Sequence, residues 1–280
     1  MFSNSMEVAE TIIQQVGESM VAKKHKRLIL ECLEKLKGKM LLNYDKKFHT
    51  FRMLRTHAMP LTDACLTKDG TKCLTTSYDR TCRIWDLQEG KELITLGDHI
   101  DIVCCVSINP TCDRVLTGSY DGTVRLWRVS LDQENPDSEC LHILRGADMA
   151  EVQVAQFSPD YLLAAAGSSD STTTIYDLTS GVAMYTLEGH DAEISAAAFD
   201  QSCQTLLTGS YDSRLGLWDL RSGNRIAYYK GHEAEVVSCL FNFSCDKIAS
   251  GSMDSTVRLW DIRKDKSCLS VFIGHAEEVI

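Results

Sequence analysis

A histidine followed 28 residues later by a tryptophan occurs four times in this chain, at His57 and Trp85, His99 and Trp127, His190 and Trp218, and His232 and Trp260. The copies recur at 42 or 43 residues, except for one interval lengthened by an insertion, and His275 opens a further copy. Tyr176 takes the aromatic place in the copy between the second and the fourth. A chain repeating at this period builds one unit many times and stacks the units so that each covers its neighbour's apolar face. The clearest copy spans residues 231–261, GHEAEVVSCLFNFSCDKIASGSMDSTVRLWD. Its β-rich runs at 236–242, 247–252 and 256–260 are separated by polar turns at 243–246 and 253–255, which reads as successive short strands.

Within each copy a polar set stands at fixed offsets. His57 goes with Thr75, Asp79 and Trp85; His99 with Thr117, Asp121 and Trp127; His190 with Thr208, Asp212 and Trp218; His232 with Ser250, Asp254 and Trp260. One histidine, one hydroxyl and one aspartate would suggest a hydrolytic triad. A catalytic site is needed once, however, and this set appears four times. Its expected role is structural, as a closed network of buried polar groups that satisfy one another.

The Gly-His and Trp-Asp punctuation at a period of about 40–45 residues resembles the WD-repeat family. The resemblance covers residues from about 48 to the end, and it implies an all-β WD-repeat β-propeller. Five blades are expected at about 57–96, 99–144, 147–187, 190–229 and 232–273, with a partial sixth from 274. The ring is expected to be incomplete and the chain a truncated product, with a short strand at 48–54 in place of a preceding blade's outermost strand. In that family the polar set runs from Trp to hydroxyl to His to Asp and ties three strands of a blade together.

Two copies depart from the pattern. In the second, Arg128 replaces the aspartate after Trp127, and residues 131–137, LDQENPD, are read as an acidic loop inserted between the third and fourth strands. In the third, Ala147 or Asp148 stands in the histidine place, Ala166 in the hydroxyl place and Tyr176 in the tryptophan place, while Asp170 remains. Losing histidine and hydroxyl together is coherent, because half a buried network is worse than none. That blade is expected to be the least rigid.

Residues 1–47 are read as a helical segment and linker. Val8, Ile12, Ile13 and Val16 recur at helical spacing, as do Ile29, Leu33, Leu36 and Met40 among many lysines. The segment either caps the β-domain or docks a partner through its apolar stripe. Residues 1–50 carry nine Lys/Arg and six Asp/Glu, a net +3, so the remaining 20 and 33 leave the β-domain at −13. An acidic domain argues against nucleic acid, which requires basic surface. No apolar run reaches 18 residues and the first residues lack a signal-peptide pattern, so neither membrane span nor secretion is expected. Twelve cysteines without paired CxxC motifs indicate reduced thiols in the cytoplasm and no metal. No nucleotide loop or other single-copy catalytic cluster is present, and neither an enzyme nor a cofactor is expected. Residues 242–244, Asn-Phe-Ser, fit a glycosylation pattern but read as a turn.

A finer resemblance lies in LRTHAMPLTDACLTKDGTKCLTTSYDRTCRIWD at 54–86, in HTF at 49–51, and in the recurring H-x-A-E of residues 190–193 and 232–235. These stretches are similar to WD-repeat adaptors that load preassembled outer-arm dynein onto intraflagellar transport. The resemblance implies a protein-binding scaffold with dynein and transport components as partners, at the cilium or flagellum and its base. The alternative is a general WD-repeat interaction subunit, such as a ubiquitin-ligase substrate receptor or a regulator of cytoplasmic dynein. In the family, the loop before a blade's first strand and the turn between its second and third open on one face. Glu193, Glu235 and Glu278 follow their histidines by three residues, with Glu151 at the matching place in the third copy. Tyr78, Tyr120 and Tyr211 precede their tetrad aspartates. That face is expected to interleave carboxylates with aromatic rings and to accept a basic peptide segment.

Overall fold

The computed structural model describes residues 53–55, 57–131, 136–146, 150–263, 268–277 and 279. The helical reading of residues 1–47 and most of the strand read at 48–54 lie outside the described residues. Met53 and Leu54 are described, and they stand in no strand.

The described residues form five four-stranded antiparallel sheets in chain order, with no helix among them. The first sheet is β1 (Leu61–Leu66), β2 (Lys72–Ser77), β3 (Cys82–Asp86) and β4 (Lys91–Leu96). The second is β5 (Val103–Ile108), β6 (Arg114–Ser119), β7 (Thr123–Ser130) and β8 (Asp137–Arg145). The third is β9 (Val152–Phe157), β10 (Leu163–Ser168), β11 (Thr173–Asp177) and β12 (Val182–Leu187). The fourth is β13 (Ile194–Phe199), β14 (Thr205–Ser210), β15 (Arg214–Asp219) and β16 (Asn224–Lys230). The fifth is β17 (Val236–Phe241), β18 (Lys247–Ser252), β19 (Thr256–Asp261) and β20 (Cys268–Ile273). Each sheet is one blade, formed by β-branched and aromatic runs between polar turns.

Local chemistry sets the turns. Between the first and second strands, the side chains of Asn109, Asp200 and Asn242 accept backbone N–H bonds from four and five residues onward and so close the turn. Asn242 of the glycosylation-like triplet is spent in such a turn, its amide donating to Ser244 and Asp246. Between the third and fourth strands, the Asp86 carboxylate accepts from the N–H groups of Gln88 and Glu89 and closes the hairpin. Asp177 and Asp219 do the same in their sheets. In the second sheet Arg128 stands there instead, and the strands are not turned at this point. Its strands run on and pair as far as Ser130 with Asp137. The inserted segment read as a loop at 131–137 is thus partly strand, Asp137 opening β8 rather than ending a loop.

Hydrophobic clusters fill the joints between successive sheets. One joins Ile84 and Leu96 to Val106 and Val115, and another joins Leu126 and Leu144 to Val152 and Ala155. A third joins Ile175 to Ile194 and Leu206, and a fourth Leu217 and Tyr229 to Val236 and Ile248. Complete burial of such a side chain is worth about 1.5–3 kcal/mol, so these joints hold the stack together. Close approach there requires glycine. A Cβ on Gly167 would lie 2.5 Å from Ile194 Cγ2, and one on Gly209 2.9 Å from Val236 Cγ1. Gly251 lies against Val279 in the same way, at 3.1 Å. Val279 also donates its N–H to the Ser252 carbonyl across 3.2 Å, so the start of the next copy packs on the fifth sheet.

Candidate functional site

In four sheets the recurrent polar set is brought together. Trp85 Nε1 donates to Thr75 Oγ1 at 2.8 Å, Thr75 Oγ1 lies 2.9 Å from His57 Nε2, and His57 Nδ1 lies 2.8 Å from Asp79 Oδ2. The corresponding distances are 2.9, 2.8 and 2.9 Å for Trp127, Thr117, His99 and Asp121. They are 2.8 Å throughout for Trp218, Thr208, His190 and Asp212. For Trp260, Ser250, His232 and Asp254 they are 2.9, 2.7 and 2.8 Å.

Proton bookkeeping fixes the tautomer. Indole N–H can only donate, so the hydroxyl oxygen accepts from tryptophan and sends its own proton to Nε2. Nδ1–H then donates to the carboxylate. Burial pushes the His99 and His232 imidazoles below the ordinary range, against the pull of Asp121 and Asp254. Burial works against the Asp121 carboxylate as well. The hydroxyl of Thr123, the His99 ring and the Ile100 N–H outweigh it and hold that carboxyl at about 2.

Hydroxyl, imidazole and carboxylate follow the proton order of a hydrolytic triad, yet the oxygen is out of reach. Thr117 and Thr208 are 0% exposed and Ser250 1%, each capped by a tryptophan N–H. A nucleophile needs an approach path, and burial closes it to these hydroxyls. They hold the loop before the first strand against the turn between the second and third.

The third sheet lacks this network. Ala166 and Tyr176 are buried at the hydroxyl and tryptophan places, and burial raises the Tyr176 phenol to about 12. Asp170 keeps its turn, its Oδ1 accepting from Ser168 Oγ and from the Thr172 N–H and hydroxyl. Ala147 and Asp148 lie outside the described residues.

The same loops and turns carry the residues expected to form a partner-binding face. In every sheet the residue before the tetrad aspartate donates its N–H to the residue just ahead of the first strand. These pairs are Tyr78 to Pro60 (3.1 Å), Tyr120 to Ile102 (3.0 Å), Ser169 to Glu151 (2.9 Å), Tyr211 to Glu193 (3.0 Å) and Met253 to Glu235 (2.9 Å). These bonds commit backbone and not side chains. Tyr78 is 44% exposed and Tyr211 40%, Glu151 is exposed, and Tyr120, Glu193 and Glu235 are half-buried. Burial first, then Tyr78, Glu151 and Tyr211 among nearby groups, raise the Tyr120 phenol; burial, then Glu193 and Glu235, raise that of Tyr211. These rings and carboxylates therefore share one neighbourhood. Glu278 lies outside the described residues, and in the first two sheets Pro60 and Ile102 occupy the glutamate place, so the carboxylates gather on the third to fifth sheets.

The sequence reading passed over the serine two residues before the tetrad aspartate. Ser77, Ser119, Ser210 and Ser252 each donate to a carbonyl of the preceding loop and accept the aspartate's N–H. The signal was present as Ser-x-Asp in every copy. Among the described residues no His/Cys/Asp/Glu group could hold a metal. Every described cysteine is a free thiol, and burial raises that of Cys239 to about 12, which leaves it unreactive.

Residues 48–86, 90–128, 138–177, 181–219 and 223–261 each match the family described as "WD domain, G-beta repeat". "Dynein assembly factor with WD repeat domains 1" from Mus musculus is 38% identical over 104 residues, covering 37% of this chain and 25% of the relative. Its Danio rerio counterpart is 43% identical over 82 residues, 29% of this chain and 20% of the relative. "Mitochondrial division protein 1" from Saccharomyces cerevisiae is 31% identical over 172 residues, 52% of this chain and 23% of the relative. The matched stretches span a quarter or less of each relative.

Proposed function

The chain belongs to the WD-repeat family, and from that membership we propose that it is a non-catalytic protein-interaction scaffold whose working surface is the face carrying Tyr78, Tyr120, Tyr211, Glu151, Glu193 and Glu235. The observation behind this reading is the pinning of those residues by backbone bonds alone, which leaves rings and carboxylates free for a partner. The partner is a basic peptide segment: carboxylates pair with Lys or Arg, and tyrosine rings hold guanidinium groups by stacking and cation–π contact. Kinship with a dynein assembly factor supports a role as an adaptor in dynein assembly, and the sequence resemblance extends this to outer-arm dynein and intraflagellar transport. Its place would then be the cytoplasm and the base of the cilium or flagellum. The longer match to a mitochondrial division protein favours a second reading, a general WD-repeat interaction subunit.

Co-precipitation tests both readings. Tagged chain is expected to retain dynein subunits at low salt and to release them as salt rises, because exposed charge pairs are screened. Glu193→Lys/Glu235→Lys and Tyr120→Ala/Tyr211→Ala are each expected to weaken retention several-fold. Retention unchanged in both variants and insensitive to salt places the binding surface elsewhere on the chain.

A further inference from the structure

The outermost strand of the fourth sheet, β16, carries a basic cluster on an otherwise acidic domain. Ladder pairing assembles it. Arg214 stands opposite Lys230, Gly216 opposite Tyr228 and Trp218 opposite Arg225, so these residues share one face of the sheet. A register shift at Ile226 keeps Arg225 in phase with the other two.

Tyr228 is the platform of the cluster. Its hydroxyl donates to the Gly189 carbonyl, and its ring lies 5.4 Å from that of the tetrad histidine, His190. The Arg225 guanidinium lies 4.0 Å from the Tyr228 ring centroid and that of Arg214 5.9 Å from it. Burial raises the Tyr228 phenol, and Arg225 pulls it back down. Glycine at 189 admits the contact, since a Cβ there would stand 2.7 Å from Arg225 Nη1 and 3.1 Å from the Tyr228 hydroxyl.

The cations are unequally matched. Arg214 is bonded to Asp191 at 2.9 Å. Arg225 and Lys230 are exposed, and among the described residues neither forms an ion pair, even with Glu188 beside Gly189. Residues 188–193 and 205–230, which build this place, are all described.

The first sheet shows the same place with its charges matched. Glu92 stands opposite Trp85 there, as Arg225 stands opposite Trp218, and Arg83 stands where the fourth sheet has Gly216. Arg83 Nη1 donates to Glu92 Oε2 at 2.9 Å. Cys140, Ala183 and Cys268 hold the outer position in the remaining sheets and bring no fixed charge. In the fourth sheet the guanidinium is kept, now on the outer strand and stacked on a ring, while the carboxylate is missing.

We propose that Arg225, Lys230 and the Tyr228 ring form a docking site for an acidic segment of a protein partner, whose carboxylate makes on Arg225 the pair that Glu92 makes on Arg83. The site is opposite in charge to the face of tyrosines and glutamates, and it does not rest on that reading. A carboxylate meets the guanidinium edge with two parallel N–H···O bonds, and a ring-stacked guanidinium is oriented before the ligand arrives. Lys230, farther along the same strand, takes a second carboxylate of an extended segment. A few cations on a domain at −13 attract a short acidic segment and leave a long polyanion such as nucleic acid repelled.

The test is fluorescence anisotropy on the full chain at low salt, with dye-labelled tetraglutamate as probe and tetraglutamine as its neutral control. Tetraglutamate is expected to bind at least about tenfold more tightly than tetraglutamine. Arg225→Gln is expected to weaken it at least about fivefold, and Arg225→Lys nearly as much, because an ammonium lacks the planar fork. Lys230→Gln is expected to weaken it about twofold. Both side chains are exposed, so the urea midpoint of each variant should match that of the native chain. Equal binding of the two probes overturns the proposal, as does affinity retained in Arg225→Gln. Full affinity in Arg225→Lys reduces the effect to general charge attraction and overturns the guanidinium site. A phosphoserine tetrapeptide that binds while tetraglutamate does not exceed tetraglutamine overturns the carboxylate. Tyr120→Ala/Tyr211→Ala keeps the two surfaces apart. Undiminished probe affinity in that variant supports the site on β16 whatever the dynein co-precipitation shows, and loss of affinity there but not in Arg225→Gln overturns it.

Discussion

The backbone N–H of Tyr211 donates to the carbonyl of Glu193 across 3.0 Å, so the exposed Tyr211 and the half-buried Glu193 are joined through main chain and not through side chains. The turn is held by Ser210, whose hydroxyl donates to Ala192 at 2.9 Å and accepts the Asp212 N–H at 3.1 Å. Side-chain identity at 211 and 193 is therefore uncoupled from the fold. This is the physical condition for a surface that varies between relatives without loss of the scaffold.

That uncoupling gives the first prediction. Tyr211→Ala should shift stability by under about 0.5 kcal/mol, since nothing in the turn relies on the ring. Ser210→Ala should cost about 1–2 kcal/mol, because it strips the part-buried Asp212 N–H and Ala192 carbonyl of their partner. Urea unfolding of both variants gives the comparison, and a Tyr211→Ala loss above 1 kcal/mol shows that the ring is a packing residue.

His232→Ala should destabilise by about 1–3 kcal/mol. Asp254 Oδ2 then keeps only the Glu233 N–H, and the Ser250 hydroxyl loses the acceptor of its proton. A change below a few tenths of a kcal/mol would make the network ornamental.

Acid should weaken the fold in two steps. Burial lowers the folded pKa of His99 and His232, so the unfolded chain takes up their protons first, and stability falls as pH drops from about 6.5. Asp121, held at about 2 when folded against about 3.9 unfolded, contributes stability above pH 4 that is lost between 4 and 2. The urea midpoint should be flat from pH 8 to 7, decline below 6.5 and decline again below 4. In His99→Gln the upper step should shrink. A midpoint that rises between pH 7 and 5 contradicts this assignment.

The repeat made much of this legible. Offsets of 18, 22 and 28 residues from each histidine name the groups that meet, because every copy folds onto the same register. Chemistry between copies was less visible. That Gly118, Gly167 and Gly209 sit where the next sheet presses in depends on sheet-to-sheet distance, which no pattern within one copy encodes. Arg128 was read as a missing Trp-Asp aspartate, but its consequence, a hairpin extended to Ser130 and Asp137, required the ladder itself.

Gly167 gives the sharpest test of the joints. A methyl there would stand 2.5 Å from Ile194 Cγ2, 2.8 Å from Ile194 Cβ and 2.9 Å from Val154 Cγ1. Ile194 is 0% exposed and belongs to the cluster between the third and fourth sheets, so it cannot step aside. Gly167→Ala should therefore cost about 1–3 kcal/mol by overpacking. Gly70→Ala should cost about 1–2 kcal/mol for a different reason: nothing lies within 4 Å of its added Cβ, but its φ of +68° strains any side chain. The two are separated by a second substitution. Ile194→Val removes only Cδ1 and leaves the colliding atoms, so it should not rescue Gly167→Ala. Ile194→Ala removes Cγ2, and the double variant should be less destabilised than the sum of the singles by at least 0.5 kcal/mol. Additivity in that double-mutant cycle, measured by urea midpoint at constant m, would mean that the sheets part at this joint with no resistance from Ile194.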